Sequence, residues 1–137
     1  MSANSRTLVA SIGFGILGAI VGGVWIYTRT LLPVFPPLNM GISLPIALIS
    51  GLICYLLAYQ SYARSGYSLG SVFGGLGGTI SGAATQIGYL LSYVQETHSA
   101  WELLFHGILG AILGGFIGTI LGFIFCPLLA RVTKSNL

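Results

Sequence analysis

Long apolar runs separated by rare charges organise this chain. No Asp, Glu, Lys or Arg falls between Arg6 and Arg29, between Arg29 and Arg64, between Arg64 and Glu96, or between Glu102 and Arg131. A helix crosses a hydrocarbon core of roughly 30 Å with about 20 apolar residues, and each of the four intervals is long enough. The pattern therefore predicts an all-α integral membrane bundle of four transmembrane helices, at about 8–27, 41–60, 69–94 and 103–130, forming one transmembrane domain over residues 1–137. The last two runs have length to spare for tilt or protrusion. Between the first two lies LLPVFPPLN, where Pro33, Pro36 and Pro37 each remove a helix donor and push the preceding residue toward extended geometry. Ser61 to Ser68, SYARSGYS, reads as a short polar turn. Gln95 to Trp101 is the third connection.

Composition agrees with this reading. Hydrophobic residues make up 55% of the chain and charged residues 5%, with a mean hydropathy of +0.94, where soluble domains devote about a quarter of their residues to charge. A secretory leader is the competing reading of the first run. That run exceeds the ~7–15 residues of a signal core, and no Ala-x-Ala-like site precedes Trp25-Ile26-Tyr27, so it is expected to stay as a span.

With four crossings, Arg6, Arg64, Arg131 and Lys134 share one face, and Arg29, Glu96 and Glu102 the other. Basic residues collect on the cytoplasmic side. Both termini are thus expected on the cytoplasmic, stromal or matrix side of a bacterial inner, thylakoid or organellar inner membrane. Trp25, Tyr27, Tyr59, Tyr62, Tyr67, Tyr89, Tyr93 and Trp101 lie near span ends, as interfacial aromatics do. The net charge of +3 is modest and sits at span ends, so nucleic acid is not an expected partner. Cys54 and Cys126 both fall inside spans and read as small packing residues.

Glycine changes the picture most. Span one carries Gly15, Gly18 and Gly22 on one helical face; span three carries Gly70, Gly74, Gly78 and Gly82; span four carries Gly110, Gly114, Gly118 and Gly122. Glycine weakens helices in water by roughly 1 kcal/mol against alanine. In lipid, small residues every four positions let backbones approach closely, so these stripes predict glycine-zipper packing. A shift of 60 residues also lays SIGFGILGAIVGG on SVFGGLGGTISGA and span two on span four, which describes two repeated helical hairpins; an identical GILGAI at 15–20 and 107–112 competes with it at a shift of 92.

Two families resemble parts of this pattern. Duplicated hairpins with glycine-rich first and third helices look like rotary-ATPase proteolipid subunits, whose chemistry requires a carboxylate in mid-helix. This chain has no Asp, and Glu102 lies at a span's beginning, so proteolipid function is excluded. Four glycine-striped spans in a small basic protein also resemble small subunits of mitochondrial inner-membrane translocases. Their Arg followed four residues later by an acid is not matched here: Ser68 follows Arg64. That resemblance covers architecture only.

Candidate chemistry is sparse. His98, Glu102 and His106 recur every four residues and lead into the span-four stripe, while Gln86 extends the span-three stripe. If the stripes pack together, Gln86 and His106 meet near the outer interface, a potential polar or ligand site because intramembrane ionisable residues mark function. Against this, His106 lies only about 5 Å inside its span at 1.5 Å per residue, within reach of water, and Glu102 fits a helix-dipole partner. No metal centre, paired buried carboxylates, phosphate loop or Ser-His-Asp set is present, so no enzyme is expected, and the sequence names no cofactor. Two functions fit. One is a non-catalytic accessory or assembly subunit of a respiratory, photosynthetic or translocation complex, embedded in membrane lipids and docking other transmembrane subunits through its glycine faces. The alternative is a homo-oligomeric transporter or channel for a neutral or weakly selected solute, lined by Ser81, Thr85, Gln86 and His106.

Overall fold

The computed structural model describes residues 2–31, 40–65, 69–92 and 98–135 and arranges them as four helices: α1 (Ala3–Leu31), α2 (Met40–Ser65), α3 (Gly70–Leu91) and α4 (Ala100–Ser135). Three segments, Ala3–Thr28, Met40–Ser65 and Ala100–Thr133, are long and apolar enough to cross a membrane. At 22 residues α3 spans about 33 Å, using 1.5 Å per residue, so length does not set it apart. Its glycines, with Ser71, Thr79, Ser81, Thr85 and Gln86, dilute its apolar character. Position accounts for this composition: α3 packs between α2 and α4, and Ser81, Thr85 and Gln86 are buried there. Val72, Leu76 and Ile80 remain as its exposed apolar side.

Helix boundaries depart from the predicted spans mainly by extension. α2 continues through Ser65 where a turn beginning at Ser61 was expected; the Tyr62 ring lies tilted against that of Tyr59, centroids 5.7 Å apart, and the Ser61 and Ser65 hydroxyls donate to the Leu57 and Tyr62 carbonyls. The triple-proline connection, with Pro33, Pro36 and Pro37, lies outside the described residues, as do Gly66 to Ser68 and Glu96. Pro45 and Pro127 are accommodated inside α2 and α4.

Successive helices run antiparallel. Gly15, Gly18 and Gly22 on α1 meet Leu52, Gly51 and Ala47 on α2, so one helix descends as the other ascends. Gly77 and Gly88 on α3 meet Cys54 and Ile46 on α2 in the same sense. Between α3 and α4 the steps are regular: Gly70 with Gly122, Gly74 with Gly118, Gly78 with Gly114, Gly82 with Gly110. Two apolar clusters close the ends. Ala10, Phe14, Tyr55, Ala58, Tyr59 and Cys126 form one, with Phe14 and Tyr55 rings 5.1 Å apart. Ile26, Ala47 and Tyr89 form the other. α1 and α4 approach each other little; Gly13 near Leu129 marks a contact at the first cluster's end.

Candidate functional site: the α3–α4 seam and the cavity beside it

The expected stripes on spans three and four are two sides of one seam. A Cβ on Gly74 would run into the Gly118 carbonyl oxygen and lie 2.6 Å from the Gly122 Cα; one on Gly82 would run into the Gly110 carbonyl and lie 2.9 Å from the Gly114 Cα. Gly110, Gly114, Gly118 and Gly122 meet α3 backbone in return. Every obstacle along these steps includes main chain, which cannot rotate aside, so the observed approach accepts no side chain. The α1 stripe is used differently. A Cβ at Gly15 would lie 2.8 Å from the Leu52 carbonyl oxygen, and one at Gly22 would lie 2.5 Å from that of Ala47, while Gly18 packs against Gly51 and the Tyr55 ring.

The seam has an internal two-fold relation that the 60-residue comparison passes over. Shifted by 40 residues, GSVFGGLGGTISG (70–82) matches GAILGGFIGTILG (110–122) at Gly70/Gly110, Gly74/Gly114, Gly75/Gly115, Gly78/Gly118, Thr79/Thr119, Ile80/Ile120 and Gly82/Gly122. The contacts obey the same exchange: Gly74 meets Gly118 as Gly114 meets Gly78, and Gly75 meets the Thr119 hydroxyl as Gly115 meets that of Thr79. Each threonine donates to the carbonyl four residues back on its own helix, Thr79 to Gly75 at 2.8 Å and Thr119 to Gly115 at 2.7 Å. The motif G-x3-G-G-x2-G-T-I-x-G, present twice, was the available signal.

At the end of the seam, the next step after Gly82 and Gly110 carries Gln86 and His106 to the same level. Gln86 is 1% exposed and its Cγ lies where a Cβ on Gly110 would come within 2.5 Å. His106 is half-buried, with its ring edge-on to Phe105 at 6.0 Å and its Nδ1 without a hydrogen-bond partner among the described residues. Glu102 has a specific structural job. Its Oε2 accepts from the Ser99 N–H at 3.2 Å while its own N–H donates to Ser99 Oγ at 3.2 Å, the reciprocal capping box of a helix N-terminus. His98 Nδ1 lies 3.7 Å from the same carboxylate. Among the described residues, no group of three or more His, Cys, Asp or Glu is placed to hold a metal ion.

Beside the seam, α1, Tyr55 of α2, α3 and α4 line a partly open cavity of about 30 Å³. Val21 and Trp25 wall it on α1, Leu113 and Ile117 on α4, and Ser81 and Thr85 line it on α3. Thr85 differs from five other threonines of the helices. Thr7, Thr28, Thr79, Thr119 and Thr133 each return their hydroxyl to a carbonyl three or four residues back, the usual way a helix satisfies such groups in an apolar setting. Thr85 is 2% exposed and its Oγ1 has no hydrogen-bond partner among the described residues, a state that costs about 1–3 kcal/mol when nothing else pairs with the group.

Compared with protein-family models, with curated proteins and with solved structures, the chain matches none.

Proposed function

We propose that this chain crosses the membrane four times, with α3 as the fourth crossing held by a glycine zipper to α4, and serves as a non-catalytic accessory or assembly subunit of a larger membrane complex of the respiratory, photosynthetic or translocation type. In lipid, helices associate through close packing of small residues rather than through hydrophobic burial. The stripes at 70–82 and 110–122 are engaged with each other, so docking falls to the small residues along the seam's outward border. The observation that carries the reading is such a second row: Gly75, Thr79, Ala111, Gly115 and Thr119 border an open groove on the outward side of α3 and α4. Large apolar side chains surround it, Leu76, Ile112 and Phe116 among them. That combination suits lipid over most of the surface and a close-packed helix at the groove.

Orientation follows from charge. Asn4 and Thr7 at the start of α1 lie beside Gln60 and Arg64 at the end of α2, so Arg6, Arg64 and Arg131 belong to one end of the bundle, the cytoplasmic, stromal or matrix end by the basic-residue rule.

The transporter reading draws support from Ser81 and Thr85 on the cavity, and is the weaker one because a space of about 30 Å³ lies between two apolar clusters. Native-gel electrophoresis after mild detergent extraction, followed by mass spectrometry, separates the two. An assembly subunit comigrates with unrelated membrane polypeptides and loses them in Ala111→Leu at unchanged thermal stability. Migration as a homo-oligomer alone, with solute flux in liposomes holding only this chain, overturns the proposal.

A further inference from the structure

We propose that the cleft between the start of α1 and the end of α2 binds the phosphate of an anionic phospholipid headgroup, with Arg64 as its cationic partner. The first observation is the cleft itself. Asn4, Thr7 and Leu8 on one helix and Gln60, Ala63 and Arg64 on the other line a partly open space of about 370 Å³, within the ~300–1,000 Å³ of small-molecule sites. Its lining mixes polar and apolar groups, whereas the outward groove of the seam and the cavity beside it are mainly apolar.

Charge is the second. Arg64 is exposed, and among the described residues no carboxylate or other acceptor pairs with its guanidinium. Glu102 is occupied at the opposite end of the bundle, where it caps α4, while Arg6 and Arg131 add positive charge at the end that holds the cleft. A guanidinium presents a planar fork of donors that fits phosphate oxygens in pairs. Asn4 and Gln60 line the same space, and each side-chain amide carries two further donors. Thr7 has already committed its hydroxyl to the Ala3 carbonyl at 3.1 Å, so Arg64 and the two amides are the anion's donors.

Placement is the third, and it selects a lipid over a free phosphate. Leu8 forms the apolar edge of the cleft, and the same face of α1 runs on through Ile12 and Ile16, all three exposed. A headgroup seated at Arg64 leaves its acyl chains along that face. Cytoplasmic leaflets carry anionic lipids, and basic pockets between helices on that side take up their headgroups. The leaflet follows from the orientation proposed above, whereas the cleft and its charge stand in either orientation and with any assembly partner.

Native mass spectrometry of the full-length protein tests this, from detergent micelles holding equimolar phosphatidylglycerol and phosphatidylcholine. Both lipids carry a phosphate; only the first has a net negative charge. The expected result is bound phosphatidylglycerol several-fold above phosphatidylcholine, falling to parity in Arg64→Gln and kept in Arg131→Gln, a residue that does not line the cleft. Inorganic phosphate in large excess should leave the bound lipid in place. Equal binding of the two lipids by the unaltered protein overturns the proposal, as does Arg64→Gln keeping the preference or Arg131→Gln losing it equally, the mark of a diffuse attraction to the basic end. Displacement of the lipid by inorganic phosphate overturns it in favour of a free-anion site. Should Arg64→Gln not fold, Gln60→Ala set against Arg131→Gln decides in its place, with a several-fold loss expected in Gln60→Ala alone.

Discussion

Gly78 and Gly114 hold each other to glycine: a Cβ on either would strike the carbonyl oxygen of the other. The restriction is mutual because α3 and α4 run antiparallel about an approximate two-fold axis, and the 40-residue shift that maps Gly74 onto Gly114 also maps Gly78 onto Gly118. A seam of this kind stabilises through dispersion contacts between backbones, each ~0.1–0.2 kcal/mol per atom pair and large only in sum. One added methyl group forces the helices apart along several turns.

Substitution at the seam therefore behaves unlike substitution of glycine elsewhere. Gly78→Ala is expected to lower stability by about 1–3 kcal/mol, the usual cost of overpacking a filled interior. Gly13→Ala, whose Cβ would find only Leu129 Cδ2 at 3.9 Å, is expected to stay within about 0.5 kcal/mol of the parent. Thermal unfolding in a single detergent compares them. Equal effects from the two would remove the special status of the seam.

The start of α4 supplies a second expectation. Ser99 and Glu102 satisfy each other's backbone N–H groups, so Ser99→Ala should cost about 1 kcal/mol locally and speed amide exchange in the first turn about fivefold. Glu102→Gln retains a side-chain acceptor for the Ser99 N–H and should change exchange little. Hydrogen exchange across residues 99–103 reads both.

Topology gives a third. Alkaline phosphatase fused after His98 in a bacterial host should be active, and the same enzyme fused after Leu137 inactive, because on the proposed topology three crossings precede the α3–α4 connection and α4 adds one more. The reverse pattern, no activity after His98 and activity after Leu137, would contradict a crossing α3.

Much of this was legible in the chain. Charge-free intervals predicted the helices, and the four-residue glycine spacing picked out residues 70–82 and 110–122, which the fold brings together. Which stripe meets which was not legible, because spacing fixes a face and not a neighbour: the α1 stripe settles on α2, where Gly51 is the one glycine of the contact and Ala47 and Leu52 complete it. Apolar count sets α3 apart from the other three helices because, packed between α2 and α4, it carries Ser81, Thr85 and Gln86 inward. The S-x-x-E cap at Ser99 was readable, although charge reasoning by itself assigns Glu102 only a dipole role. That the Thr85 hydroxyl has no partner among the described residues depends on a side-chain rotamer, which no periodicity reports.

Disulfide cross-linking tests the antiparallel seam most directly, in a background where Cys54 and Cys126 are replaced by alanine. A Cβ on Gly115 would lie 2.6 Å from Thr79 Oγ1, and one on Gly75 the same distance from Thr119 Oγ1, so the pairs Thr79→Cys with Gly115→Cys and Gly75→Cys with Thr119→Cys bring sulfurs within bonding reach. Val72→Cys with Ile112→Cys serves as control: both border the outward groove, but in this register they are eight residues apart along the axis, about 12 Å, beyond the ~7 Å limit between Cα atoms. Mild oxidation in the membrane should form the first two disulfides within the chain and not the third. Failure of the first two, or equal cross-linking of Val72→Cys with Ile112→Cys, would contradict the seam and its register.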